Sequence, residues 1–71
     1  MNMRELRESL GLTITQVGAA TGVSASTVRD WEAGKYEPRY TNIKELMRLF
    51  ERSFDEIGEA IEQSMHKGGK K

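Results

Sequence analysis

The sequence predicts an all-α domain built from five short helices. Apolar residues recur at three- and four-residue spacing in each segment, and Gly, Ser, Thr and Asn stand at the segment ends, where helices start and stop. The longest β-branched stretch, "LTIT" from Leu12 to Thr15, is overlapped by a helix cap, so no strand signal remains. At 71 residues the chain is a single domain near the size at which one hydrophobic core only just suffices.

Helix 1 runs from residue 2 or 3 to Leu10 on Met3, Leu6 and Leu10, and Gly11 stops it. "TITQ", Thr13 to Gln16, reads as a capping box: the Thr13 hydroxyl accepts from the Gln16 backbone N–H, and the Gln16 amide reaches back. Helix 2 continues to about Thr21 and ends at Gly22. Gly18 in its interior costs about 1 kcal/mol relative to Ala, which implies a packing constraint. Ser24 caps helix 3, with Val23 and Val28 as a hydrophobic staple. Helix 3 spans Ala25 to about Ala33 and stops at Gly34. It turns Val28 and Trp31 inward and Ala25, Ser26, Arg29, Asp30 and Ala33 outward.

"KYEPRYTN", residues 35–42, holds the only proline and no apolar period, so it reads as an ordered loop. Helix 4 is expected to be capped near Thr41 or Asn42 and carries Ile43, Leu46, Met47, Leu49 and Phe50. "SFDE", Ser53 to Glu56, is a second capping box; it opens helix 5, with Phe54, Ile57 and Ile61 on one face and acids on the other. The ordered domain is expected to cover residues 1–64, leaving 65–71, "MHKGGKK", as a disordered basic tail.

Formal net charge is zero, which argues against gripping a polyanion by bulk charge. The distribution is uneven. No charged side chain lies between Glu8 and Arg29, residues 51–62 hold five acids against Arg52 alone, and the first fifty residues hold seven Lys or Arg against six Asp or Glu. There is no cysteine, and the single histidine, His66, has no companions, so neither a metal site nor a cofactor is expected. No Ser, His and acid set and no glycine-rich phosphate loop is placed for catalysis, so an enzyme is not expected. The charged start "MNMRELRE" and the short apolar runs predict a cytoplasmic protein that neither enters nor crosses a membrane.

Helix 2, the Gly22 turn and helix 3, residues 14–33, make a helix-turn-helix if the two axes cross closely. Gly18 would permit the approach, Gly22 the turn, and Val17, Val23, Val28 and Trp31 would fill the wedge. The flanks carry a wider likeness. Leu6-Arg7 precede Gly11-Leu12-Thr13; Gly22-Val23-Ser24 and Ser26-Thr27-Val28 follow, then Trp31-Glu32-x-Gly34-Lys35, Pro38 and Ser53-Phe54-Asp55-Glu56. From Leu6 to Ile57 the chain resembles the phage-repressor-like, Cro and C1 type (XRE family) helix-turn-helix proteins.

The resemblance implies a compact five-helix lambda-repressor-like domain. It further implies a sequence-specific regulator of repressor type that binds double-stranded DNA as a homodimer, with helix 3 in the major groove. A major-groove helix needs short leading side chains or ones that reach base edges. Ala25, Ser26, Thr27, Arg29 and Asp30 form the expected base-reading set, with Arg29 bidentate on guanine and Asp30 either accepting from cytosine or orienting Arg29. Thr13, Thr15, Ser24, Lys35, Arg39, Tyr40 and Asn42 form the expected backbone set, joined by Tyr36. Arg7 and Glu32 are implied to form a partly buried structural ion pair.

Two positions depart from the family pattern. Ile14 stands where Gln is frequent, and Glu37 where a basic residue is frequent. A second reading therefore stays open, in which the scaffold binds a partner protein, as an antitoxin holds its toxin; an accessory factor of a mobile element is a third. The dimer surface is expected between helices 4 and 5, because Phe50, Phe54, Ile61 and Met65 are more apolar surface than a five-helix core should bury.

Overall fold

The computed structural model describes the backbone of residues 1–68 and the side chains of residues 1–65. The chain forms α1 (Met3–Ser9), α2 (Ile14–Thr21), α3 (Ala25–Ala33), α4 (Tyr40–Phe50) and α5 (Phe54–Gly68), with no strand among the described residues. The expected all-α, five-helix architecture is the one observed. Leu6, Val17, Val28, Trp31, Leu46, Phe50, Ile57 and Ile61 supply one core drawn from all five helices. α5 packs against α1, α3 and α4, while α2 lies against α3 and α4.

Local caps start most of the helices. Thr13 Oγ1 accepts from the Gln16 N–H at 3.0 Å, and Gln16 Oε1 accepts from the Thr13 N–H at 2.8 Å. The Ser53–Glu56 box closes in the same way, at 3.1 and 2.9 Å. A further box, between Asn2 and Glu5, opens α1. Its first N–H, that of Met3, donates to the hydroxyl of Ser64 at 3.0 Å, so α5 completes the cap of α1 across the whole chain. At the other ends, Gly22 and Gly34 take left-handed φ of 73° and 77°. α4 instead ends on Glu51 at φ 55°, with the Arg52 guanidinium donating to the carbonyls of Phe50 and Glu51.

Three expectations are corrected. α4 begins at Tyr40 with Arg39 as its uncapped N-cap, before the expected cap at Thr41 or Asn42. Asn42 therefore lies inside the first turn of α4 and not at its cap, and its side-chain N–H groups donate to the Thr21 carbonyl at 3.3 Å and to Glu45 Oε1 at 3.2 Å. α5 continues past residue 64 to Gly68, because Ser64 is buried and Met65 is half-buried against the core. Gly34 lies against this turn; a Cβ there would strike the Ser64 carbonyl and come within 3.0 Å of Met65 Cα. Residues 69–71 of the expected tail, and the side chain of His66, lie outside the described residues. Finally, Phe50 and Ile61 sink into the core at 1% and 8% exposure, so of the four residues expected to overflow it only Phe54, at 50%, stays exposed.

Candidate nucleic-acid interface

α2 and α3 meet backbone to backbone. A Cβ on Gly18 would sit 2.8 Å from the Val23 carbonyl oxygen, and the Val23 N–H donates to the Gly18 carbonyl at 3.0 Å. This is the packing constraint that Gly18 implied. Thr21 is buried and donates to the Val17 carbonyl at 2.8 Å, and Val28 is fully buried beside half-buried Val23. The turn is thereby held rigidly, and the first turn of α3 projects from it.

Ser24 caps that turn, accepting from the Thr27 N–H at 3.2 Å; its hydroxyl also lies 3.1 Å from Thr27 Oγ1 and 3.3 Å from Ser26 Oγ. Ser24, Ser26 and Arg29 are exposed, while Ala25, Thr27 and Asp30 are half-buried. Five expected base-readers thus share one accessible stretch of helix. Thr13 and Thr15 are exposed at the start of α2, Lys35 and Arg39 are exposed between α3 and α4, and Tyr40 is exposed at the first position of α4. The Lys35 amine lies 5.9 Å from the Tyr36 ring centroid and the Lys44 amine 5.7 Å from that of Tyr40, within reach of cation–π attraction. Asn42 stands apart from this group: its amide is committed to Thr21 and Glu45, and it ties α4 to the carbonyl end of α2.

Arg7 and Glu32 form a bidentate pair, Nε to Oε2 at 2.6 Å and Nη2 to Oε1 at 3.2 Å, with side chains 11% and 9% exposed. Nη1 donates to the Leu12 carbonyl at 2.9 Å, so one guanidinium ties α1, the α1–α2 turn and α3 together. The hydrogen bond to Glu32 holds the Arg7 pKa above its ordinary value, outweighing the burial that opposes it. Beside this pair opens a cleft of about 460 Å3 whose walls include Arg4, Ile14, Arg29 and Glu32. Ile14 is half-buried and packs on the core, so the first side chain of α2 is an apolar wall where a polar arm is frequent.

Ser64 is a positioning residue that the sequence reading did not name, and the tie from Asn42 to the Thr21 carbonyl is a contact it did not foresee. Ser64 had a signal: it is the one polar residue on the buried stripe Ile57, Ala60, Ile61, Ser64. Among the described residues no group of three or more His, Cys, Asp or Glu is gathered where a metal could sit, and no helix is long and apolar enough to cross a membrane.

Two helices locked across a glycine turn, the second presenting a capped and accessible first turn, define a helix-turn-helix protein. A helix-turn-helix family model matches residues 3–57, and the chain belongs to that family, the Cro/C1-type (XRE) DNA-binding regulators. Searches of curated proteins and of solved structures gave no significant match.

Proposed function

We propose that the protein is a sequence-specific regulator of repressor type that binds as a homodimer and inserts α3 into the major groove. The observation that carries this reading is the first turn of α3: small side chains at Ala25, Ser26 and Thr27, then exposed Arg29 one turn on. Ser26 and Arg29 reach base edges, the Ala25 and Thr27 methyls meet thymine, and Asp30 accepts from cytosine or steers Arg29. Thr13, Thr15, Ser24, Lys35, Arg39 and Tyr40 hold the phosphates on either side.

Helix polarity supports the same face. α2, α3 and α4 carry no acidic residue in their first turns, whereas α1 has Glu5 and α5 has Asp55 and Glu56 there. The three N-termini assigned to the DNA side are those left free to attract phosphate. The domain measures 32 × 24 × 23 Å, so two copies side by side can set their α3 helices about one turn of DNA, ~34 Å, apart.

The test is a titration of isotope-labelled protein with a mixed-sequence duplex at low salt, followed by backbone amide NMR. The expected shifts cluster on Thr13–Gln16, Ser24–Asp30 and Lys35–Tyr40 and fade steeply as salt rises. Absence of shifts there overturns the proposal and brings forward the alternative, an antitoxin-like scaffold whose partner is a protein.

A further inference from the structure

At the start of α2, Thr13 and Thr15 flank Ile14, a half-buried apolar side chain that offers a phosphate neither charge nor hydrogen bond. The charge at this end of the domain stands on the other walls of the cleft that Ile14 lines. That cleft, about 460 Å3, lies between α1 and α3, and Arg4, Arg7 and Arg29 all border it. Their commitments differ. Arg7 is buried, with Nε and Nη2 donating to Glu32 and Nη1 to the Leu12 carbonyl, and Glu32 balances its charge. Arg29 stands in the base-reading set. Arg4 is 63% exposed, and its Nε donates to Glu8 Oε2 at 3.2 Å, one turn along α1. An exposed pair at that spacing contributes little, because both charges remain solvated. Arg4 is thus free to leave Glu8 for a stronger acceptor.

We propose that Arg4 grips one phosphate of the DNA backbone at the mouth of this cleft, and that Glu8 competes with DNA for it. The contact rests on the DNA reading above and extends it to α1, which lies outside the helix-turn-helix. With α3 in the major groove, α2 crosses the sugar–phosphate backbone, so the cleft beside Ile14 runs along the strand. A guanidinium presents a planar fork of donors that matches phosphate oxygens, a better partner than a solvated carboxylate. Ile14 then meets the deoxyribose as an apolar wall. The displaced Glu8 carboxylate, 52% exposed, returns to water near Arg7 Nη2, which lies 3.9 Å from it.

The experiment is fluorescence anisotropy of two labelled duplexes of unrelated sequence with the full chain and its variants, at several salt concentrations. Arg4→Ala should weaken both duplexes alike and lower the slope of log K against log salt by about 1. At ~0.9 log unit per neutralised phosphate, that loss is about eightfold at ~0.1 M salt. Arg4→Lys should restore the slope. Glu8→Gln should tighten binding, and the gain should vanish in the Arg4→Ala background, because Glu8 acts through Arg4. Helical circular dichroism should stay at the wild-type level throughout, since both side chains are exposed. An Arg4→Ala slope equal to that of wild type overturns the proposal, as does a Glu8→Gln gain that persists without Arg4. If Lys35→Ala lowers the slope in the same series and Arg4→Ala does not, this contact falls and the DNA reading stands; if the wild-type chain binds neither duplex, both fall.

Discussion

Arg7 and Glu32 show how much one side-chain pair can carry in a domain this small. Both side chains are about nine-tenths buried, and their partners lie on three different parts of the chain. Removing one leaves the other charge buried alone, at a cost of about 3–5 kcal/mol. That is comparable with the lower end of whole-domain stability, ~5 kcal/mol. Arg7→Ala should therefore leave the chain largely unfolded. Arg7→Lys should fall between it and wild type, because an ammonium keeps the charge but not the fork that spans both Glu32 oxygens. Urea denaturation followed by the fluorescence of the single buried tryptophan, Trp31, reads both effects. Ser64→Ala strips the Met3 N–H of its buried acceptor and should cost about 1–3 kcal/mol in the same assay.

Among the helices, two glycines should respond to alanine with opposite signs. At Gly18 the helix preference for alanine, about 1 kcal/mol, opposes a collision with backbone at 2.8 Å. Overpacking against atoms that cannot rotate away costs about 1–3 kcal/mol, so Gly18→Ala should destabilise. At Gly58 no collision exists, so Gly58→Ala should stabilise the dilute protomer by up to about 1 kcal/mol. The caps of α2 and α5 differ in another way. Hydrogen bonds from the Ser53 backbone and hydroxyl hold the Glu56 carboxyl below its ordinary pKa, whereas Gln16, which closes the box of α2, has no proton to take up. A depressed folded-state pKa means that the Glu56 contribution is complete above the ordinary carboxylate value, about 4.3, and is lost as pH falls through the folded value. Glu56→Gln should thus melt below wild type at neutral pH, with the gap closing as the solution is acidified; thermal melts across that range would show it.

On the scale of the molecule, zero net charge is reconciled with a DNA-binding domain by segregation. The acids are concentrated at the start and along the outer side of α5, while the assigned contact face carries Arg29, Lys35 and Arg39 against Asp30 and Glu37, and helix N-termini without acids. Positioning and reading should then separate by substitution. Arg29→Ala should cost about 1–3 kcal/mol on the preferred duplex and relax discrimination at one base pair. Lys35→Ala should weaken all duplexes alike and reduce the slope of log K against log salt by about 1. Binding isotherms on matched and mismatched duplexes at several salt concentrations distinguish the two.

The starts of α2, α3 and α5 were legible in the sequence because each cap is satisfied within one turn. Thr13 with Gln16, Ser24 with Thr27 and Ser53 with Glu56 each find their partner three residues away and form the bonds their types predict. The buried side of α3, Val28 and Trp31, followed from helical periodicity for the same local reason. The Arg7–Glu32 pair, separated by 25 residues, was visible only through family resemblance, since no local rule joins them. Tertiary structure alone decided where α4 begins, how far α5 runs, and which apolar residues the core takes in. Each of these depends on a partner distant in the chain: Asn42 on the Thr21 carbonyl, Ser64 on the Met3 N–H, and the last turns of α5 on the bare backbone of Gly34. Sequence by itself determined the elements and the likeness to a helix-turn-helix. The packing of those elements determined which side chains remained outside to make contact, because burial is a property of neighbours that only the folded chain brings together.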